Sequence, residues 1–321
     1  MYDRLSYFRL RRAWYSRVAM TQTRQPISHQ PVLLKEVVQY LAPAPHHTIV
    51  DCTVGLAGHS VALLPHLMPS GRLIALDRDE EALELAKQRL IEFAPHVQFV
   101  QDTFQHLPDL VARLGVARVN GLVADLGISS LHVDVAERGF SFLREGPLDM
   151  RMDRRQTTTA ASLVQRLSQP ELAYILETYG EERWARRIAE RIVETRARTP
   201  IQTTTQLARL VAEAMPRKAH PTRIHPATRT FLALRIAVNE ELKALEALLA
   251  SLPGILAPGA HAVIITFHSL EDRLVKRAFQ QGAKDGVFQI LTKKPVRPEA
   301  DELAGNPRSR SAKLRAIVRL P

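Results

Sequence analysis

Three aspartates close short apolar runs along the chain: Asp51 after Thr48-Ile49-Val50, Asp77 after Leu73-Ile74-Ala75-Leu76, and Asp125 after Leu122-Val123-Ala124. Acids at the carboxyl ends of buried strands stand where open α/β sheets bind their ligands. The first run leads into Cys52-Thr53-Val54-Gly55-Leu56-Ala57-Gly58-His59-Ser60. Small residues there permit a tight turn and a close backbone approach to a ligand at a helix N-terminus. Asp77 is placed to accept hydrogen bonds from ribose hydroxyls. Asp102-Thr103-Phe104, after a third run, sets an aromatic face near an adenine, and Asp125-Leu126-Gly127 reaches the far end of such a ligand, where chemistry happens. A nicotinamide dinucleotide site shows Gly-x-Gly-x-x-Gly without a leading acid. Here an acid precedes the turn and the spacing is Gly55-Leu56-Ala57-Gly58, which leans towards S-adenosylmethionine. A dehydrogenase is the enzymatic alternative, and ordinary strand-end capping is the plain one for Asp51 and Asp77.

The elements that must position these residues alternate. Strands are expected at 48–51, 72–77, 97–100 and 121–125, with helices from about Gly58, over 80–93 and over 107–114. From 135 to 225 no strand pattern occurs. Helices are expected there over 171–179 and 181–196, with a third near Thr205 capped by Thr203 and Thr204. Strand-and-helix order resumes with one long helix over 227–252, a strand at 259–266, a helix from Leu270 and a last strand at 314–320. The expected fold is α/β, a doubly wound Rossmann-like sheet built from 28–134 and 226–321, interrupted by an all-helical insertion at 135–225.

Charge narrows the partner. Lys and Arg total 44 against 33 Asp and Glu, a formal net charge of +11, which favours a polyanion such as nucleic acid. No apolar run is long enough to cross a bilayer, and the single cysteine, Cys52, excludes an internal disulfide and fits a reducing, cytoplasmic setting. Residues 1–27 form a basic extension with Arg4, Arg9, Arg11, Arg12 and Arg17. We expect it to be disordered and to be an upstream extension of the reading frame, with Met20 as the start; an organelle transit peptide is the alternative.

Longer motifs carry a family resemblance: His29-Gln30-Pro31-Val32-Leu33-Leu34, the 51–60 turn, Asp125-Leu126-Gly127-Ile128-Ser129-Ser130, Gly139-Phe140-Ser141-Phe142 and Gly146-Pro147-Leu148-Asp149-Met150-Arg151-Met152-Asp153. Tyr179-Gly180-Glu181-Glu182-Arg183, His225-Pro226-Ala227-Thr228-Arg229-Thr230-Phe231, Val238-Asn239-Glu240-Glu241-Leu242, Phe267-His268-Ser269-Leu270-Glu271-Asp272-Arg273 and the run from Asn306 to Arg315 follow in order. With these the chain resembles the bacterial small-subunit rRNA cytosine-N4 methyltransferase family over nearly everything after Ser28. The resemblance implies methyl transfer from S-adenosylmethionine to the exocyclic amine of a cytosine in the decoding region, on small-subunit rRNA either free or in the assembling particle. It also implies cofactor contacts at Ala57, Gly58, His59, Asp77, Phe104, Asp125 and His132. Three positions depart from the family pattern: Ala57 where Gly is usual, and His132 and Leu232 where Gln is usual.

The cytosine amine has its lone pair delocalised into the ring, so it must be aimed at the sulfonium methyl and given somewhere to lose a proton. Asp125 is the leading proton acceptor, with binding of the cofactor's amino group as its competing role; Asn239 and His268 stand second. Cys52 sits inside the cofactor turn and reads as packing, which argues against carbon-5 chemistry through a thiolate. The histidines lack a metal-binding spacing, so no metal is expected. Candidate RNA contacts are Arg223, Arg229, Lys293, Lys294, Arg308, Arg310 and Lys313, with the helical face of Arg183, Arg187 and Arg191 as a weaker stripe. Phe140, Phe142 and Phe231 read as core before they read as base-stacking groups. A non-catalytic ribosome assembly factor on the same fold is the rival from outside enzymology.

Overall fold

The computed structural model describes residues 30–221 and 224–321. The expectations for 1–27 and for Arg223 therefore lie outside the described residues. In chain order the elements are α1 (Leu34–Leu41), β1 (Thr48–Asp51), α2 (Gly58–Leu67), β2 (Arg72–Asp77), α3 (Glu80–Arg89), β3 (Val97–Gln101), α4 (Leu107–Arg113), β4 (Val119–Asp125) and α5 (Ser130–Asp134). A helical stretch follows: α6 (Ala160–Arg166), α7 (Gln169–Gly180), α8 (Ala185–Arg196), α9 (Thr204–Ala214), α10 (Thr228–Asn239) and α11 (Glu241–Ile255). The chain closes with β5 (Leu256–Thr266), α12 (Ser269–Lys284), β6 (Phe288–Ile290), α13 (Ala300–Gly305) and β7 (Lys313–Arg319).

The strands form one sheet in the order β3-β2-β1-β4-β5-β7-β6. The first five run parallel, while β7 pairs antiparallel with both β5 and β6. Successive side chains of a strand point to opposite faces, and here both faces are covered. Val50, Ile74, Leu122, Ala262 and Ile264 enter one apolar cluster. Their neighbours Ile49, Leu73, Ala75, Val123, Val263 and Ile265 enter another on the opposite face. That double burial is why these strands are continuous apolar runs in the sequence. The chain passes from β1 to β2 on one side and returns to β4 on the other, so the crevice at the carboxyl end of β1 is the switch point of the topology.

A third apolar cluster runs from Phe140 to Val238 and takes no residue from the sheet, with α10 contributing Phe231, Leu234 and Val238. Capping explains its helix starts. Thr159, Ser168 and Thr203 each form a reciprocal box with the residue three positions on, and the Thr203 hydroxyl accepts the Gln206 N–H.

Several elements differ from the sequence reading. The long helix expected over 227–252 is two helices, because Glu240 takes a left-handed turn at φ 48°. The break is held by tertiary contacts: Arg235 pairs with Glu241 at 2.8 Å, and the Asn239 carbonyl accepts from Arg78 at 2.8 Å. The helix expected over 80–93 ends at Arg89, and a 3-10 turn containing Pro95 follows. Helices α1, α5, α6 and α13 and the short strand β6 are additional to those read from periodicity.

Candidate active site

The turn after β1 is cross-linked from two sides. The Gly55 N–H donates to Asp77 Oδ2 at 2.9 Å, while the Asp79 N–H donates to Asp77 Oδ1 at 3.0 Å. Each oxygen keeps a lone pair for a further donor. Asp51 lies behind the turn, accepting the Thr53 N–H at 3.2 Å and the Ser60 hydroxyl at 2.6 Å. Burial pushes the carboxyls of Asp51 and Asp77 above the usual range. Asp51 thus braces the turn, and Asp77 sits at its rim.

Ala57 and Gly58 start α2. Ala57 is fully buried with φ 59°, a conformation that costs a residue with a Cβ about 1–2 kcal/mol. A Cβ on Gly58 would stand 2.9 Å from Pro31 Cβ, so the close approach requires glycine there. We expect Ala57→Gly to stabilise the protein by about 0.5–1 kcal/mol, relief of the left-handed strain outweighing the extra freedom of the unfolded chain. An unchanged or lower urea midpoint would contradict this.

Asp125 ends β4 opposite that turn. Its N–H donates to Thr53 Oγ1 at 2.7 Å, and its Oδ2 lies 3.8 Å from His59 Nδ1. Asp125 Oδ1 is buried and has no partner among the described residues. Burial pushes this carboxyl up to about 6; His59 opposes the shift, while Asp51 and Glu271 add to it. His59 Nε2 is 2.9 Å from the Val32 carbonyl, which can only accept, so Nε2 carries a hydrogen. In the neutral ring Nδ1 therefore faces Asp125 as a bare lone pair.

His132 is held at both nitrogens. Its Nδ1 accepts the Ser129 N–H at 3.1 Å, and its Nε2 lies 2.8 Å from Asp79 Oδ2. Asp79 also accepts from Arg138 at 2.9 Å. Although burial opposes it, the His132 and Arg138 bonds hold this carboxyl below its ordinary range. Arg138, 1% exposed, further donates to Glu81 at 2.9 Å and to the carbonyls of Arg151 and Met152, each at 3.1 Å. Phe104 opens the turn after β3 and packs, partly buried, on the sheet's core. Beside it a cavity of about 710 Å³ is lined from the sheet side by Arg78, Asp102 and Thr103, and from the helical side by Asp153, Arg155 and Asn239.

The second-line catalytic candidates are otherwise engaged. The Asn239 amide donates to the carbonyls of Met150 (2.8 Å) and Arg235 (2.9 Å) and accepts the Met152 N–H (2.8 Å). It clamps the 150–152 segment to α10. His268 caps α12, its Nδ1 accepting the Glu271 N–H at 3.4 Å and its Nε2 lying 3.1 Å from Glu271 Oε1. Asn239 is a structural bracket by geometry, whereas His268 Nε2 is buried without a hydrogen-bond partner among the described residues. Cys52 is buried, and burial followed by the Asp51 charge pushes its thiol well up, so a thiolate nucleophile is disfavoured.

The basic candidates divide. Lys293, Lys294 and Arg310 are exposed and make no ion pair among the described residues. Arg308 bridges Ser130 at 2.5 Å and Asp134 at 2.6 Å, Lys313 pairs with Asp272 at 3.0 Å, and Arg229 donates to the Glu181 carbonyl at 3.0 Å. These three position protein as well as carrying charge. Phe140 and Phe231 are buried, and Phe142 packs between His225 and Phe231 at centroid distances of 4.7 and 4.8 Å. Thr53, Asp79 and Arg138 were missed in the sequence reading. An acid just before the helical run at 80 is a capping signal for Asp79, whereas nothing local marks Arg138.

Comparison with known proteins identifies the family. The chain is 49% identical over 308 residues to the ribosomal RNA small subunit methyltransferase H of Geobacter sulfurreducens, covering 91% of this chain and 99% of that one. It is 46% identical over 307 residues to the enzyme of the same name from Symbiobacterium thermophilum, covering 91% and 96% respectively. An rRNA methylase structure from Streptococcus thermophilus overlaps 92% of the chain with 14% identity and a TM-score of 0.41. The family model described as the MraW methylase family matches residues 26–320, and the chain belongs to that family.

Proposed function

We propose that the protein transfers a methyl group from S-adenosylmethionine to the N4 amine of a cytosine in the decoding region of small-subunit rRNA, free or in the assembling particle, in the cytoplasm. Family membership supports the reaction class. The observation that carries the site is the bare, buried Asp125 Oδ1 beside a turn locked to Asp77. An orphaned buried carboxylate oxygen suits a cationic ligand, and the free lone pairs of Asp77 suit hydroxyl donors. Gly58, Ala57 and His59 would form the wall at the α2 N-terminus, Phe104 the aromatic face and His132 a brace through Asp79.

When bound, S-adenosylmethionine supplies an electrophilic methyl on a positive sulfur. The residues here do the rest. The loops after β1, β2 and β4 set the direction of approach, and the burial of Asp125 Oδ1 strengthens the charge interactions it makes. The strand ends at Asp77 and Asp125 would hold the cofactor, which would supply its methyl to the amine nitrogen, and that nitrogen must then lose a proton. The proton released from the nitrogen passes to Asp125 Oδ1. The exposed Lys293, Lys294 and Arg310, with Arg223, Arg229, Arg308 and Lys313, would hold phosphates, and the helical body at 135–225 would read the shape of the RNA.

Small subunits from cells lacking the enzyme, incubated with labelled S-adenosylmethionine, are expected to yield N4-methylcytidine; label in no cytosine would overturn the reading. Calorimetry should show binding of S-adenosylhomocysteine and none of NADH. Activity should also titrate. Asp125 must be ionised to accept, so kcat/KM is expected to rise with pH through about 6, the value for the free enzyme. The limb in kcat should lie lower, because a bound cation favours the carboxylate. A profile flat from pH 5 to 7 would exclude Asp125 as acceptor.

A further inference from the structure

Away from the sheet, the helical body carries a second cavity, of about 450 Å³, lined by Glu182, Arg183, Trp184, Met215, Pro221 and Arg229. It lies at the turn between α7 and α8, where Glu181 reverses the chain at φ 47°. Glu182 is 4% exposed, and its Oε1 accepts the Trp184 N–H at 2.9 Å. No partner for its Oε2 is present among the described residues. Trp184 is half-buried against the helical core, Met215 is buried, and the guanidinium of Arg229 is fixed on the Glu181 carbonyl at 3.0 Å. Arg183 is exposed and forms no ion pair among the described residues.

This arrangement is ordered by charge: an aromatic and a thioether wall with a buried carboxylate inside, and two guanidinium groups about them. An anion is repelled from the interior and attracted by the arginines, while a flat group with N–H donors is accepted inside. A nucleotide has that polarity, with a stacking base that offers donors joined to a phosphate. We propose that the cavity is a nucleobase subsite for a nucleotide neighbouring the target cytosine, selective for a base with an exocyclic amine. The base stacks on Trp184, its amine donates to Glu182 Oε2, and Arg183 and Arg229 take the adjoining phosphates. The proposal rests on the reading of RNA as substrate.

Cytosine and uracil make the sharpest comparison, since they differ at carbon 4 in an amine against a carbonyl. Trp184 is one of two tryptophans, so a full-length Trp14→Phe protein reports on it by fluorescence. Tetracytidylate is expected to quench this signal with an affinity at least about 5-fold above that of tetrauridylate, as a hydrogen bond to a buried charge contributes. Glu182→Gln should level the two, because an amide can donate to the uracil carbonyl. In methylation of small subunits, Trp184→Ala should raise KM about 10-fold with kcat nearly unchanged, and Trp184→Phe should restore it, as expected for stacking. Equal binding of both oligonucleotides, or an unaltered KM in Trp184→Ala, overturns the subsite while wild-type methylation stands. Absent wild-type methylation overturns the substrate reading instead, and the titration still judges the cavity. If Trp184→Ala fails to fold, Glu182→Gln decides alone.

Discussion

Asp125→Asn is expected to lower kcat by on the order of 10²–10³-fold, the range for losing one preorganised charge or proton acceptor. The same substitution should raise the melting temperature of the free protein at neutral pH. The carboxyl titrates at about 6 in the folded chain. Unfolded it titrates near ~3.9, so the native state binds the proton more tightly. Its stabilising contribution is complete below pH ~4 and is lost as pH rises through about 6, leaving an ionised, half-partnered carboxylate in the fold. Asn carries no charge at any pH. Its advantage should therefore be on the order of 1–3 kcal/mol above pH 6, shrink between 6 and 4, and vanish below, less what water screens at a side chain still 19% exposed. Saturating S-adenosylhomocysteine, which brings a positive amino group, should reduce or reverse the difference. Melting curves at four pH values with and without that ligand test this. An active variant, or a stability difference independent of pH, would remove Asp125 from the centre of the mechanism.

Arg138→Ala should be the most destabilising single change near the site, by about 3–5 kcal/mol. The guanidinium joins Asp79, Glu81 and two carbonyls of the 151–152 segment, and is itself 1% exposed. Its removal leaves the Asp79 carboxylate, 2% exposed, with the His132 ring and the Glu81 N–H alone. Such a loss is a large part of the ~5–15 kcal/mol that holds a domain together. Arg138→Lys should recover only part of it, because one ammonium cannot span four acceptors in a plane. The double variant Asp79→Asn, Arg138→Met should lie closer to wild type than Arg138→Ala, since the stranded charge has gone. Urea midpoints at constant m-value measure all three. A cost below about 1 kcal/mol for Arg138→Ala would show the network to be decorative.

Much of the frame was legible before any coordinates. Strands β1, β2 and β4 were visible because parallel strands covered on both faces need apolar residues in succession, and each ends in an acid. The start of α9 was visible because Thr203 and Gln206 form a local box. The break at Glu240 was not, because periodicity continues through it, and the turn is held by Arg78, from the sheet. The partners of Asn239 were illegible for a similar reason. A polar residue at an element's end looks free for chemistry until its partners are known, and the Asn239 oxygen finds its partner 87 residues away.

Composition, periodicity and motif order were enough for the α/β class, the interrupted sheet, the basic character and the family, since each is written within a few residues of itself. Which carboxylates are left with a bare oxygen and which are clamped was decided by the tertiary structure alone. Asp51, Asp77, Asp79 and Asp125 are chemically identical in the chain. They become brace, rim, anchor and the one with a bare oxygen because burial and partners drawn from distant segments set the free energy of each charge.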